Sequence, residues 1–108
     1  MTPIFVYVTC ASAEEATRIG RALVEARLAA CVNILDGMRS LYWWQGRIEE
    51  GQETVLIAKT RDSLLDALTD HVKALHSYEC PCVVAILVHA GNPDYVAWIE
   101  AETEGAKG

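Results

Sequence analysis

The side chains best suited to metal or proton chemistry lie in one short segment, residues 75–82. They are an imidazole, a phenol, a carboxylate and two thiols, on His76, Tyr78, Glu79, Cys80 and Cys82. Pro81 biases Cys80 toward extended geometry, in which positions i and i+2 project to one side. Two thiols placed in this way can chelate a soft ion such as Cu(I) or Zn(II). The alternative is that both cysteines are small buried hydrophobes, because one Cys-x-Cys pair does not complete a zinc site.

The composition limits the classes of partner. The 108 residues include 15 acidic and 9 basic side chains, for a net charge of −6, and no basic stripe could neutralise phosphates, so we expect no nucleic-acid partner. No apolar run approaches the roughly 18 residues that a membrane span needs, and no secretory leader is visible. We therefore expect a cytoplasmic protein without a membrane partner, with one domain over residues 1–108 and with reduced cysteines.

The first elements that must position the segment are a strand and a helix. Residues 4–9 are β-branched and aromatic without clean alternation, which is typical of a strand covered on both faces or central in its sheet. Ser12 and Glu15 form a capping box. Apolar residues at three- and four-residue spacing then predict a helix over residues 13–28.

A long hairpin follows. Residues 31–35 and 39–44 predict one strand, interrupted by a bulge or bend at residues 36–37. Gln45 and Gly46 are typical of a tight hairpin turn, with a return strand over residues 47–60.

The remaining pattern predicts a helix, a strand and a helix. Asp62 or Ser63 caps the second helix, which ends near His76. Residues 83–88 predict another covered strand, and Asn92 followed by proline marks the start of a short terminal helix.

This element order predicts an α+β, ferredoxin-like split βαβ sandwich with an additional C-terminal helix, ending in a polar tail, residues 102–108, that we expect to fray. Both long helices would cover one face of the sheet. The other face and the aromatic hairpin would then expose apolar side chains, which mark a protein interface. We predict an obligate homo-oligomer with Tyr42, Trp43 and Trp44 at its interface.

Three motifs are distinctive in combination: LAACVN at residues 28–33, YWWQG at 42–46 and HSYE at 76–79. With their spacing, and with further matching stretches over most of the chain, they resemble the CutA family of small proteins associated with divalent-cation tolerance. The resemblance implies a ferredoxin-like protomer in a tight homotrimer, similar in plan to PII-type signalling proteins. It implies copper and other divalent ions as ligands, and it implies no established enzyme activity.

Two positions depart from the family pattern. The family commonly has proline before the Tyr-Glu pair and an acidic residue after the proline that corresponds to Pro81; here these positions hold Ser77 and Cys82. A thiol in place of a carboxylate favours soft over hard metals.

Two main hypotheses follow. In the first, the protein is a homotrimer that binds copper or another divalent metal ion in the response to metal ions, and the metal ligands are His76, Glu79, Cys80 and Cys82. In the second, it is a PII-like trimeric adaptor whose intersubunit clefts hold a small anion or a partner peptide. We rank catalysis last and predict no enzyme, because no nucleophile–base pair stands at readable spacing.

Several other residues have two readings. His76 could be a ligand, or could bond the last carbonyls of its helix. Cys10 precedes a helix N-terminus, which favours a lowered thiol pKa, whereas Cys31 fits a buried strand. Glu49, Glu50 and Glu53 could bind a divalent cation or form a solvated face. The hairpin aromatics could stack on a ring ligand or pack against a neighbouring subunit. Lys59 and Arg61 could hold an anion or form an ion pair between subunits.

Overall fold

Four strands form one antiparallel sheet: β1 (Pro3–Cys10), β2 (Cys31–Trp44), β3 (Arg47–Arg61) and β4 (Val83–Leu87). Their order across the sheet is β2-β3-β1-β4, and β1 pairs antiparallel with both β3 and β4. This arrangement confirms the predicted ferredoxin-like fold. The computed structural model describes residues 1–106, so the predicted fraying of the last two residues lies outside the described part of the chain.

Three helices complete the fold: α1 (Ala13–Glu25), α2 (Leu65–Leu75) and α3 (Pro93–Glu102). The first two contact each other on one face of the sheet, and α3 contacts β3 and β1. The predicted C-terminal helix is confirmed, with the Asn92 side chain accepting a hydrogen bond from the Asp94 N–H at 3.0 Å. No helix within residues 1–106 is both long and apolar enough to cross a membrane.

The core lies between the sheet and the first two helices. Burial alternates strictly along β1, so every second side chain faces the helices. The fully buried members include side chains of β1, α1 and α2, namely Val6, Val8, Ile19, Leu23, Leu68 and Val72. This packing fixes the end of β1, the start of α1 and the end of α2 relative to one another.

The first helix begins as predicted and ends early. Ser12 Oγ accepts a hydrogen bond from the Glu15 N–H at 3.1 Å, and Glu15 in turn accepts one from Ala11. At the other end, Arg27 takes a φ of +59°, and the Leu28 N–H donates to the Leu23 carbonyl at 2.9 Å. This is a Schellman-type cap without glycine. The predicted end at residue 28 was wrong because buried apolar residues continue past the helix.

The hairpin has the predicted shape. The register of β2 and β3 shifts between Leu35 and Met38, which confirms a bulge. At the tip, Gln45 and Gly46 have φ values of +51° and +78°, the backbone of a type I′ turn. The paired strands beyond the bulge form a projecting arm, residues 38–53, and the molecule measures 44 × 27 × 21 Å.

The last strand differs from its prediction. We expected a covered strand over residues 83–88, but β4 is an edge strand that pairs only with β1. Val84, Ile86 and Leu87 are exposed in the protomer. An apolar run indicates that a strand is buried, but it does not show whether residues of the same chain bury it.

Candidate functional site

The loop between α2 and β4, residues 76–82, is anchored by His76. Its side chain is fully buried. Nε2 lies 2.8 Å from the Thr9 carbonyl on β1, and Nδ1 accepts a hydrogen bond from the Tyr78 N–H at 3.0 Å. These partners select the neutral tautomer with the proton on Nε2. The ring therefore forms its hydrogen bond with β1. It does not bond the last carbonyls of α2, the second of its two predicted roles.

Glu15 joins this loop to the start of α1. One carboxylate oxygen accepts from the Ala11 N–H and the other from the Ser77 N–H, each at 3.1 Å. Burial by itself raises the pKa of this carboxyl, but the hydrogen bonds from Ser77 and Ala11, and the positive charge that His76 carries when it is protonated, outweigh it and lower the pKa below its ordinary value. The sequence predicts Glu15 as part of a helix cap but carries no signal for its contact with Ser77, 62 residues away.

Cys10 completes a cluster with these two residues. One ligand atom each from Cys10, Glu15 and His76 lie within 4.8 Å of one another, and within residues 1–106 no other group of three such side chains is so close. Burial, and then the charges of Glu15 and Glu53, raise the pKa of the Cys10 thiol to about 11. The predicted lowering of this pKa was wrong because burial outweighs the helix terminus. Glu15 and His76 of this cluster are hydrogen-bonded to the backbone, and a metal bound to them would replace at least one of these bonds.

The four predicted metal ligands lie on the same loop in different surroundings. His76 is buried, Cys82 is half-buried, and Glu79 and Cys80 are exposed. Among the residues described, no three of these four side chains have their ligand atoms within 4.8 Å. Burial and the nearby Glu53 raise the pKa of the Cys82 thiol. All four cysteines of the chain are free thiols, and the four-ligand site stays a prediction that requires the loop to rearrange.

An aromatic cleft of about 440 Å³ opens between the hairpin arm and this loop. Its lining residues are Tyr42, Trp44 and Glu53 from the arm and Ser77, Tyr78, Glu79 and Cys80 from the loop. The Tyr78 hydroxyl donates to Glu53 Oε2 at 2.9 Å. Burial, this hydrogen bond and the charge of Glu53 raise the pKa of Tyr78 well above its ordinary value, so the phenol stays a donor.

The arm has two faces. Tyr42 and Trp44 line the cleft. Trp43 lies between them in the strand and therefore points to the other face of the arm, where Ile48 is its partner in the strand register. Leu41, Trp43 and Ile48 are 69%, 73% and 63% exposed. We call these three residues the outer apolar patch. The three aromatics predicted at one interface are therefore divided between the cleft and this patch.

The acidic residues of the arm are divided in the same way. Glu50 forms an ion pair with Arg39 at 3.0 Å, whereas Glu53 lines the cleft. Glu49, Glu50 and Glu53 do not gather as three closely spaced ligands in the described chain. Of the three, Glu53 is the one that reaches the candidate site.

Lys59 and Arg61 hold α3 against the sheet. Lys59 Nζ donates to the Tyr95 hydroxyl at 3.0 Å and lies 5.3 Å from the ring centroid of Phe5. Arg61 Nε donates to Thr103 Oγ1 at 3.1 Å. These contacts lie within the chain, and the two predicted roles, an anion site and an ion pair between subunits, stay predictions.

Comparison with known proteins gives consistent matches. The family described as "CutA1 divalent ion tolerance protein" matches residues 4–102. The rice protein named "Protein CutA 1, chloroplastic" is 47% identical over 100 residues, which are 93% of this chain and 56% of the relative. The Archaeoglobus fulgidus "Divalent-cation tolerance protein CutA" is 44% identical over 100 residues, 93% of this chain and 97% of the relative. The chain thus spans just over half of the rice protein and nearly all of the archaeal one.

Solved structures agree in fold. The crystal structure of CutA1 from Oryza sativa has a TM-score of 0.94 and 44% identity, covering 98% of this chain and 97% of that one. The structure of the "Periplasmic divalent cation tolerance protein CutA" from A. fulgidus has a TM-score of 0.92 and 43% identity, with coverages of 94% and 99%.

Proposed function

The chain belongs to the CutA1 divalent ion tolerance family, and on that premise we propose that it is a homotrimer that binds copper or another divalent metal ion in the response to metal ions. The family description concerns ion tolerance and names no reaction. Binding without catalysis is accordingly the function that we propose.

One observation carries the choice of ligands. Cys80 is a free, exposed thiol in the wall of the aromatic cleft, next to Glu79 and two residues before a second free thiol, Cys82. Thiolates prefer soft ions such as Cu(I). We propose that Cys80 and Cys82 hold the ion and that Glu79 and His76 supply further ligands. For His76, binding through Nδ1 replaces the hydrogen bond from the Tyr78 N–H.

The proposed trimer is supported by the apolar surface that one protomer leaves uncovered. The outer apolar patch and the exposed side chains of β4 lie outside the core. Exposed apolar patches of this kind mark protein interfaces. We further propose a cytoplasmic location, which the four free thiols support, because a reducing compartment keeps thiols reduced.

Titration of the purified protein with Cu(I), against a competing chelator and without oxygen, tests the ligands. We expect the double variant Cys80→Ser/Cys82→Ser to lose at least roughly 10–100-fold in Cu(I) affinity. A loss of this size is typical when a residue that only supports a metal ligand is replaced, and the ligands themselves should matter at least as much. Cys31→Ser is the matched control, because it removes a half-buried thiol on β2, away from the loop. Mg(II) should bind the unmodified protein and both variants much more weakly than Cu(I) binds the unmodified protein, since thiolates do not select hard ions.

A further variant separates this site from the buried cluster. Cys10→Ser leaves the loop thiols in place and removes the only thiol of the Cys10, Glu15 and His76 cluster. We expect copper affinity close to that of the unmodified protein. If Cys10→Ser abolishes binding and the loop double variant does not, the ion belongs to the buried cluster and the proposed ligand set is wrong.

A further inference from the structure

We infer that the aromatic cleft binds an organic cation, an amine or quaternary ammonium group, between its aromatic rings and its carboxylates. This goes beyond the proposed binding of a metal ion and uses a different set of residues. The two sites adjoin, because Glu79 and Cys80 also line the cleft. The cation would lie on the arm side of the cleft, against Tyr42, Trp44 and Glu53.

The walls have the chemistry that organic cations require. Three of the seven lining residues are aromatic: Tyr42, Trp44 and Tyr78. The face of an aromatic ring attracts a cation through its quadrupole, and cages of several rings recognise alkylated ammonium groups. The rings come from two elements, the arm and the loop, so the fold builds a concave site rather than a flat stack.

The charge of the cleft is uncompensated. Glu53 is half-buried, and its one recorded hydrogen bond is from the neutral Tyr78 hydroxyl. Within residues 1–106, neither Glu53 nor Glu79 forms an ion pair, and no lysine or arginine lines the cleft. A carboxylate withdrawn from water without a positive partner is unfavourable. A bound cation would supply that partner.

The shape of the site favours an organic over a small inorganic cation. Ca²⁺ and Mg²⁺ bind through oxygen ligands and retained waters, whereas three of the seven residues that line this cleft present aromatic rings, which suit an alkylated ammonium group. The volume of about 440 Å³ falls within the roughly 300–1,000 Å³ typical of sites for small organic molecules.

Calorimetric titration with choline and with its neutral carbon isostere, 3,3-dimethyl-1-butanol, tests the inference. The two probes have nearly the same shape and differ in charge. We expect choline to bind saturably and about tenfold or more tightly than the isostere, since ring and carboxylate contacts act on the charge. Equal binding of both probes, or no saturable binding of choline, would overturn the inference.

Two variants with the same change in net charge locate the site. Glu53→Gln removes the carboxylate and keeps an oxygen that can accept from Tyr78; we expect choline affinity to fall about tenfold. Glu50→Gln, on the opposite face of the arm, should leave it unchanged. Similar losses in both variants would show a nonspecific effect of charge and would contradict the site. Circular dichroism checks that both variants fold.

Two single variants separate this inference from the proposed metal function. Cys82→Ser, whose side chain does not line the cleft, should weaken Cu(I) binding and keep choline binding, whereas Glu53→Gln should weaken choline binding and keep Cu(I) binding. Failure of choline binding with copper binding intact removes the organic-cation site alone. Failure of copper binding with choline binding intact removes the metal proposal alone.

Discussion

Glu15 joins two parts of the fold near the site. Its carboxylate accepts hydrogen bonds from Ala11 before α1 and from Ser77 in the loop between α2 and β4, so one side chain joins the end of β1 to that loop. We expect Glu15→Gln to lower the free energy of unfolding by about 1–3 kcal/mol at neutral pH, because hydrogen bonds to a charged acceptor are lost. Glu14→Gln, an exposed neighbour in the same helical turn, is the control.

The loss should depend on pH. The Glu15 pKa is lower in the folded protein than its ordinary value of about 4.3. The charged carboxylate therefore stabilises the fold above that pH, and this contribution disappears as pH falls through the folded-state pKa. Urea unfolding at fixed protein concentration should show the difference between Glu15→Gln and the unmodified protein shrinking in acid. A difference that persists unchanged below both pKa values would contradict this assignment.

The four thiols should react in an order set by their surroundings. Cys80 is exposed, whereas Cys10 is buried with a pKa raised to about 11 and Cys82 is half-buried with a raised pKa. Since the thiolate is the reactive form, we expect an aromatic disulfide reagent to modify Cys80 first and Cys10 last. Cys80→Ser should remove the fast phase, and Cys31→Ser should keep it. A fast phase that survives Cys80→Ser would show that the loop opens more readily than the structure indicates.

Residue types suggested candidate ligands, which stay predictions, and spacing did not predict the geometry around them. The thiols, His76 and Glu79 could be named from chemistry alone, and Cys80 does line the cleft. The contacts of Glu15 with Ser77 and of Tyr78 with Glu53 join residues 62 and 25 positions apart. A local pattern carries no information on such pairs. For Glu15, the local pattern indicated only a helix cap, three residues after Ser12.

At the scale of elements, the hairpin turn offers a direct test. Gln45 has a φ of +51° and Gly46 one of +78°, and asparagine tolerates this region better than glutamine does. We expect Gln45→Asn to raise the free energy of unfolding by about 0.5 kcal/mol and Gly46→Ala to lower it by about 1 kcal/mol. Denaturant unfolding measures both. Stabilisation by Gly46→Ala would contradict the assigned turn.

Element prediction succeeded where the signal was local. The Gln45-Gly46 turn, the bulge after Leu35 and the start of α3 at Asn92 each depend on residues whose backbone preferences are strong. The end of α1 was missed because Arg27 occupies a position that glycine usually marks. The exposure of β4 was missed because an apolar run does not reveal its position at the sheet edge.

At the scale of the whole molecule, the exposed apolar surface predicts assembly. Trp43 is 73% exposed in the outer apolar patch, and an exposed aromatic of this size contributes strongly when buried at an interface. We expect the melting temperature to rise with protein concentration, because unfolding is coupled to dissociation. Trp43→Ala should weaken assembly in light scattering. A stable monomer at micromolar concentration, or an unchanged assembly in Trp43→Ala, would contradict this use of the patch.

Native mass spectrometry of the Cu(I)-loaded protein tests the proposed trimer and its metal site together, because one spectrum reports both assembly and bound metal. We expect three chains of 11.9 kDa carrying one copper ion per chain, and a trimer without copper for the Cys80→Ser/Cys82→Ser variant. A monomer, or a variant that retains all of its copper, would contradict this expectation.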